Sequence, residues 1–213
     1  MSAPAVKLSR SERNEETRRR LFVAAAKVVG EYGYAEASIS RITTEANVAQ
    51  GTFYNHFSSR QELLDHLLPT LGEEMLAFIE ARVNAGAPDA ARDIARCAAF
   101  FEFLKVCPAY LRILNEAEFF APAAFKSLMA MISRGYLRVL QRASRRRSLV
   151  PYSDAELEVI VQTLLGARAY LSRRYAYGEG GTQAVPTHVL TAYAKLVTEG
   201  LFRAPPEEPQ SAR

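Results

Sequence analysis

The chain has 213 residues, of which 49% are hydrophobic and 23% are charged, a composition typical of a globular protein with a sizeable core. Its formal net charge is +4, and residues 1–60 hold nine basic side chains against six acidic ones, which favours a polyanionic partner near the N-terminus. The only two cysteines, Cys97 and Cys107, exclude a disulfide framework, and no apolar run approaches the ~20 residues that span a bilayer. The N-terminal segment lacks the apolar core of a secretory signal, so we expect a cytoplasmic protein with no membrane partner.

Apolar side chains recur at helical spacing along almost the whole chain, which predicts an all-α fold of seven to nine helices. The first helix is predicted over Thr17–Tyr32, and Gly33 is placed to stop it. Ser38 is a suitable N-cap for a short second helix, which is interrupted at Asn47. These two helices would bury their apolar faces against the next elements of the chain.

A third, brief helix is predicted over residues 51–57, and Ser58 or Ser59 then suits the N-cap of a long helix. Pro69 lies inside that long helix, where it cannot donate a hydrogen bond to the carbonyl group four residues earlier. We therefore expect a kink or a local break after about Leu67. The sequence leaves open whether Pro69 is a hinge or only ends one helix and begins the next.

The segment NAGAPD, residues 84–89, is the best boundary between an N-terminal head and a larger helical body. We expect the head over residues 15–75, the body over residues 88–203, and flexible termini at residues 1–14 and 204–213. The predicted body helices cover Ala90–Lys105, Pro108–Phe119, Ala123–Arg145, a segment from the Ser153–Glu156 capping box to about Tyr177, and Pro186–Phe202.

The most informative stretch is SISRITTEANVAQGTFYNHFSSR, residues 38–60. An amphipathic helix, a tight turn at Asn47 and a polar second helix are typical of a helix-turn-helix, here at about residues 38–57. The order of Ile42, Ala46, Val48, Gly51, Thr52, Tyr54, His56 and Phe57, followed by Arg60 and Leu63–Leu64, resembles the TetR family of transcriptional regulators. The resemblance covers roughly residues 15–75. That family often has Gly where this chain has Asn47 and Ala where it has Thr43, and both departures are mild.

The resemblance implies that the second helix of the motif enters the major groove of DNA. The matching positions are Gln50, Gly51, Thr52, Tyr54, Asn55 and His56. The amides of Gln50 and Asn55 are able to bond adenine, and the Thr52 side chain suits a phosphate or a thymine methyl group. Tyr54 and His56 match positions that usually hold the DNA backbone.

Further DNA contacts are predicted around the motif. Arg60 is placed for a phosphate, and Ser38, Ser40 and Arg41 lie where they add contacts from the first helix of the motif. The run Arg18–Arg20 would add sequence-independent affinity. Phe53 and Phe57 are assigned to the core of the head rather than to DNA.

The resemblance also implies an effector cavity in the body, and its aromatic and methionine side chains suit a largely apolar ligand. Tyr110, Met129, Tyr136 and Tyr170 are the predicted lining, because they combine apolar bulk with occasional hydroxyl groups. Arg112, Arg134 and Arg168 are candidate anchors if the ligand is an anion.

The last two long helices are predicted to form an isologous dimer contact, in the way that the resemblance implies. The first of them carries Val159, Ile160, Thr163, Leu164, Ala167, Tyr170 and Leu171, with Gly166 allowing close approach. The second offers Val189, Leu190, Tyr193, Leu196 and Val197.

The sequence therefore predicts a homodimeric repressor that leaves a palindromic DNA operator when a small molecule binds the body. No catalytic residue, metal site or cofactor is expected, because phosphate loops, nucleophile elbows and paired-histidine motifs are missing from the sequence. Within the binding class, the alternatives are a regulator that activates or has no small-molecule effector, and a regulator that responds to oxidation through Cys97 and Cys107. A further alternative, from another class, is a small helical enzyme with a basic head.

Overall fold

The computed structural model describes residues 9–178 and 181–200, and these form nine helices and one pair of very short strands. The helices are α1 (Arg10–Tyr32), α2 (Ile39–Glu45), α3 (Gln50–Phe53), α4 (Arg60–Glu80), α5 (Asp89–Val106), α6 (Tyr110–Phe120), α7 (Pro122–Arg145), α8 (Asp154–Tyr175) and α9 (Thr187–Glu199). The strands β1 (Tyr177–Gly178) and β2 (Gly181–Thr182) pair in antiparallel fashion between α8 and α9. The predicted all-α class is confirmed, with this two-residue pairing as its one addition in the described residues.

Helix α1 begins at Arg10 rather than at Thr17, so residues 10–14 are helical where a flexible terminus was expected. A capping box explains the earlier start: the Ser9 Oγ accepts from the Glu12 N–H at 3.2 Å, and the Glu12 carboxylate accepts from the Ser9 N–H at 2.6 Å. The helix ends at Gly33, as predicted, where a backbone φ of 86° favours glycine. Residues 1–8 and 201–213, which include the predicted tail, lie outside the described residues.

Helix α4 runs without interruption through Pro69, so the expected local break is absent from this helix. Leu67, Leu68 and Leu71 flank the proline and are buried, which means that packing holds the backbone helical on both sides of it. Tertiary packing here outweighs the helix-breaking preference of proline. The Thr70 Oγ1 bonds the His66 carbonyl oxygen at 2.9 Å in the same turn.

The body packs around α4 and α7. Leu128 of α7 sits so close to Gly72 that a Cβ atom there would lie 2.5 Å from the Leu128 Cδ1. A separate apolar cluster joins α7 to α8 through Tyr136, Leu140, Leu157 and Val161. Most of the remaining buried apolar residues, from Leu21 to Tyr193, form one continuous core that includes both head and body.

The predicted boundary at residues 84–89 coincides with the connection between α4 and α5. The core continues across that loop, and the division into a head and a body stays a prediction. No helix of the described residues is long and apolar enough to cross a membrane. Within those residues, no group of three or more His, Cys, Asp or Glu side chains is arranged to hold a metal ion.

Candidate nucleic-acid interface

The turn between α2 and α3 has the left-handed residue that the sequence predicts, because Asn47 adopts a φ of 51°. Arg20 of α1 contacts this turn through hydrogen bonds to its backbone. Its Nη2 donates to the carbonyl oxygens of Ala46 and of Asn47, the latter at 2.9 Å. The arginine thus ties the C-terminal end of α2 to α1 and fixes the path of the chain into α3.

The inner side of α3 is anchored by aromatic rings. Phe53 and Phe57 are buried, with ring centroids 5.6 Å apart, and Phe57 meets the ring of Phe22 edge to face at 5.4 Å. Their assignment to the head core is confirmed. The Arg18 guanidinium lies 5.1 Å from the Phe57 ring centroid, so this basic side chain covers the aromatic cluster.

Most of the predicted recognition residues lie on the outer surface of the head. Gln50, Gly51, Tyr54 and Asn55 are exposed, whereas Thr52 and His56 are half-buried. The side chain of Tyr54 remains 56% exposed although its ring edge contacts Phe53. The structure therefore places most of these residues on the surface of α3 and of the turn that follows it.

Gly51 is informative because the fold does not need it. A Cβ atom built at this position would have no protein atom within 4 Å, and the backbone φ is not in the left-handed region. Glycine in a helix costs roughly 1 kcal/mol relative to alanine. A residue that weakens the helix without a packing reason is expected where another molecule approaches the backbone closely.

The residues predicted at the start of α2 also have roles within the fold. The Ser38 Oγ caps α2 by accepting from the Arg41 N–H at 3.2 Å. The Arg41 guanidinium lies over the Tyr32 ring, 4.6 Å from its centroid, and its Nη2 is 3.7 Å from the Glu36 carboxylate. Ser40 is exposed beside them. Both contacts of Arg41 are at the surface, and its contact with a phosphate stays a prediction.

Arg60 is more firmly engaged than the sequence suggests. Its Nε donates to the Ala37 carbonyl oxygen at 2.6 Å, and its Nη2 donates to the carbonyl oxygens of Tyr34 and Ala35. A phosphate contact from this residue would have to use Nη1. The structure thus gives Arg60 a role in holding the segment between α1 and α2, and the phosphate contact stays a prediction.

Three of the four residues predicted to line an effector cavity lie inside the body. Tyr110 is buried against the Phe103 ring, Met129 is half-buried against the core, and Tyr136 is buried between α7 and α8. Tyr170 is different, because 68% of its surface is exposed on the outer face of α8. The structure does not bring Tyr170 together with the other three.

Tyr136 belongs to a buried polar network that joins four helices. Asp93 of α5 accepts from the Tyr136 hydroxyl, from the Arg168 Nη2 at 2.7 Å and from the Tyr193 hydroxyl at 2.8 Å. The Arg168 Nη2 also lies 2.9 Å from the Tyr136 hydroxyl oxygen. Burial raises the pKa of Tyr136 and of Tyr193, so both hydroxyl groups remain protonated donors.

The sequence named Tyr136 and Arg168 but missed Asp93 as their partner. One signal was available, because Asp93 lies four residues before Cys97 on the buried face of α5. A carboxylate on an apolar helix stripe requires a buried partner. Of the other predicted anchors, Arg134 lines an open groove of about 380 Å³ between α7 and α8, together with Leu137, Glu158 and Gln162.

The two cysteines have the properties of structural thiols. Burial raises the pKa of the Cys97 thiol to about 11 and also raises the pKa of the Cys107 thiol. Cys97 lies within α5 and Cys107 caps its end, so the helix separates them by ~15 Å. Reactive thiols have lowered pKa values, and nothing in this geometry supports the oxidation-responsive alternative.

Comparison with known proteins identifies the class to which this head belongs. Residues 21–67 match the family model described as bacterial regulatory proteins, tetR family. The matched range covers α1 from its first buried leucine, the whole helix-turn-helix and the first part of α4. Over these residues the chain is similar to the TetR family.

Curated relatives match part of the chain. It is 38% identical over 65 residues to the uncharacterized HTH-type transcriptional regulator YvdT of Bacillus subtilis (strain 168), which is 30% of this chain and 34% of that protein. It is 27% identical over 105 residues to the HTH-type transcriptional activator FasR of Mycolicibacterium smegmatis, which is 49% of this chain and 48% of that protein. The chain thus spans about a third of the first of these relatives and about half of the second.

Solved structures match over a larger share of the chain. The transcriptional regulator FadR from Bacillus subtilis, in complex with stearoyl-CoA, has a TM-score of 0.72 and covers 86% of this chain and 99% of its own. The sequence identity is 17%, so this likeness concerns the fold.

Proposed function

We propose that the protein is a DNA-binding transcriptional regulator, and that it represses its targets until a small molecule enters the body. The observation that carries the proposal is the segment from Gln50 to Asn55, where polar side chains are exposed around a glycine that packing does not require. The family match over the same residues supports it. We choose repression, relieved by a ligand, over activation. We also propose that the protein acts in the cytoplasm, where it would have access to the chromosome.

The DNA contacts are tested with a duplex that the full-length protein selects from a random library. Tyr54→Phe and Thr52→Ala each remove one predicted contact and should weaken binding by about 1 to 2 kcal/mol, measured by fluorescence anisotropy. Tyr152→Phe is the matched control, because that tyrosine is exposed in the body. Affinity should fall steeply with salt. Salt-insensitive binding, or unchanged affinity in both head variants, would contradict the proposed contacts.

We propose a homodimer that uses the outer faces of α8 and α9. Val159, Thr163, Gly166 and Tyr170 are exposed on one stripe of α8, at the spacing of successive helical turns. A Cβ atom on Gly166 would have no protein atom within 4 Å, which leaves room for a second helix. Leu196 of α9 adds an exposed apolar side chain. Two such stripes related by a two-fold axis suit an isologous four-helix contact.

The proposed effector is a small, largely apolar molecule that binds among the helices of the body. The apolar surroundings of Tyr110 and Met129 support this choice, and Arg168 is a buried cation that is paired with Asp93 in this structure. The bound stearoyl-CoA of the structurally similar FadR makes long-chain acyl-CoA the first class to test.

The effector is tested by adding stearoyl-CoA to the complex of the protein with its selected duplex. Release of the duplex by stearoyl-CoA, but not by coenzyme A, would support an acyl effector. Mass analysis of the purified protein for a retained small molecule provides the unbiased comparison. A reporter gene under the selected sequence then gives the sign of regulation, which matters because the relative FasR is an activator.

A further inference from the structure

Helix α6 of the body grips the segment that connects α1 to α2 in the head. The Glu116 Oε2 accepts from the Tyr34 N–H at 2.7 Å, and the Arg112 Nη1 donates to the Glu31 carbonyl oxygen at 2.8 Å and to that of Gly30 at 3.3 Å. The two side chains also pair with each other, with 2.7 Å between the Arg112 Nε and the Glu116 Oε1. In these hydrogen bonds to the segment, which we call the grip, Arg112 is always the donor and Glu116 is always the acceptor.

The gripped segment fits closely against α6. A Cβ atom on Gly33 would lie 2.8 Å from the Arg112 Nη2 and 2.9 Å from the Glu116 Oε2. One turn earlier, a Cβ atom on Gly30 would lie 2.5 Å from the Ala109 Cβ. The ring of Tyr34 is buried and stacks on that of Phe120, with centroids 5.8 Å apart. These contacts leave no free space between α6 and the segment, so a movement of α6 would displace the segment directly.

The far side of the same segment is held by α4. Arg60 donates to the carbonyl oxygens of Tyr34, Ala35 and Ala37, and Ser38, the next residue, is the N-cap of α2. The segment thus transmits to α2 whatever orientation α6 and α4 impose on it.

We propose that Arg112 and Glu116 are positioning residues through which the body sets the orientation of α2 and α3. The inference rests on the proposed function, because orientation matters only if the head binds DNA in a dimer. Two heads must match half-sites at a separation fixed by the duplex, about 34 Å for one helical turn. A tilt of each head changes the separation that fits best, so the grip determines the preferred number of base pairs between half-sites.

The test exchanges the two charges while keeping the pair. In the double variant Arg112→Glu with Glu116→Arg, the ion pair within α6 and the net charge are retained. A glutamate is unable to donate to the carbonyl groups of Gly30 and Glu31, and an arginine is unable to accept from the Tyr34 N–H. Binding is measured for a series of duplexes that contain the selected half-sites with spacers lengthened or shortened one base pair at a time.

We expect the exchange to change the relative affinity for neighbouring spacers by about tenfold, with the half-site sequence unchanged. Glu116→Gln should retain the wild-type spacer preference, because its amide oxygen still accepts from Tyr34, whereas Glu116→Met should lose it. Glu102→Gln is the matched control, since it removes the exposed pair of that residue with Arg82 in the body. An equal loss of affinity on every spacer, or an unchanged preference in the folded double variant, would overturn the proposal.

A second measurement separates this proposal from the proposed function. Hydrogen exchange in the free protein should become faster for the backbone amides of residues 34–53 in the double variant and in Glu116→Met, while amides of α8 keep their protection. If the wild-type protein selects no duplex, the proposed function fails, and unchanged exchange of α2 would by itself overturn the positioning role. If the double variant does not fold, as judged by circular dichroism, the Glu116→Gln and Glu116→Met pair carries both measurements.

Discussion

At Gly51, the residue that gives the most stable fold is expected to differ from the residue that gives the tightest DNA binding. Its side of α3 is open to solvent, and alanine would fit there without contact to any other part of the described protein. Stability and DNA affinity should therefore respond to the same substitution in opposite directions.

Gly51→Ala is expected to stabilise the folded protein by about 0.5 to 1 kcal/mol, because alanine has the higher helix propensity. The added methyl group should at the same time weaken binding to the selected duplex by obstructing close approach of the DNA. Urea unfolding gives the first quantity and fluorescence anisotropy the second. An alanine variant that binds DNA as tightly as the wild type would show that Gly51 faces open solvent in the complex.

The buried pair Asp93 and Arg168 gives a second prediction at the residue scale. Asp93→Leu should destabilise the protein by about 3 to 5 kcal/mol, because it leaves the guanidinium of Arg168 buried without a countercharge. The double variant with Arg168→Met should cost less than the sum of the two single changes. Urea unfolding of the four proteins gives the coupling free energy. The exposed pair Glu16 and Arg19 is the control cycle, with a coupling near zero, and a similar result for the buried pair would contradict its role.

At the scale of elements, α4 is the continuous connection from the helix-turn-helix segment to the loop before α5. Pro69 lies in its middle and leaves the carbonyl group of Asp65 without its usual helical donor. The helix nevertheless continues, since leucines on either side are buried. Pro69 therefore marks the position where this otherwise well-packed helix lacks a backbone hydrogen bond. A hinge requires such a locally weakened position.

Pro69→Ala should raise the stability of the protein by about 2 kcal/mol, because the gain of a helical hydrogen bond exceeds the loss of the conformational restriction that proline imposes on the unfolded chain. Binding to the selected duplex should be retained, while the loss of affinity caused by the effector should shrink. Thermal unfolding and titration with and without stearoyl-CoA measure these effects. Unchanged coupling between ligand and DNA would remove Pro69 from the mechanism.

Periodicity and caps predict the elements well, and their failures have physical causes. The predicted starts at Ser38 and at Ser153 are confirmed, because a cap and its partner lie within one turn of sequence. The start of α1 was placed too late, since the Ser9–Glu12 box precedes a polar stretch with no apolar stripe to reveal it. The network around Asp93 and the carbonyl contacts of Arg60 depend on which distant helices meet, and sequence spacing contains no such information.

At the scale of the whole molecule, the exposed stripe on α8 is the proposed contact through which two heads would act together. Tyr170 was predicted both for the effector cavity and for the dimer contact, and its exposure favours the second role. Ile160 and Leu164 of the same helix face the core, so the stripe is distinct from the face that packs within the subunit.

Tyr170→Glu should convert the proposed dimer to a monomer at micromolar concentration, because each copy would then place a charge within the apolar contact. Sedimentation velocity measures the change, and affinity for the full palindrome should fall toward that for a single half-site. Val106→Glu is the matched control, since Val106 is similarly exposed at the end of α5. A wild-type monomer, or a dimer that survives in Tyr170→Glu, would exclude this face as the contact.

The close approach of Gly30 to Ala109 limits how the head of this chain can be joined to the body of another protein. A head transplanted onto a foreign body would bring the glycine but leave behind the small residue that it requires on α6. A bulkier neighbour at that position would force α1 away and misdirect the transplanted helix-turn-helix. Exchange of DNA specificity between such proteins is therefore expected to succeed only when the graft also carries the turn of α6 from Ala109 to Glu116.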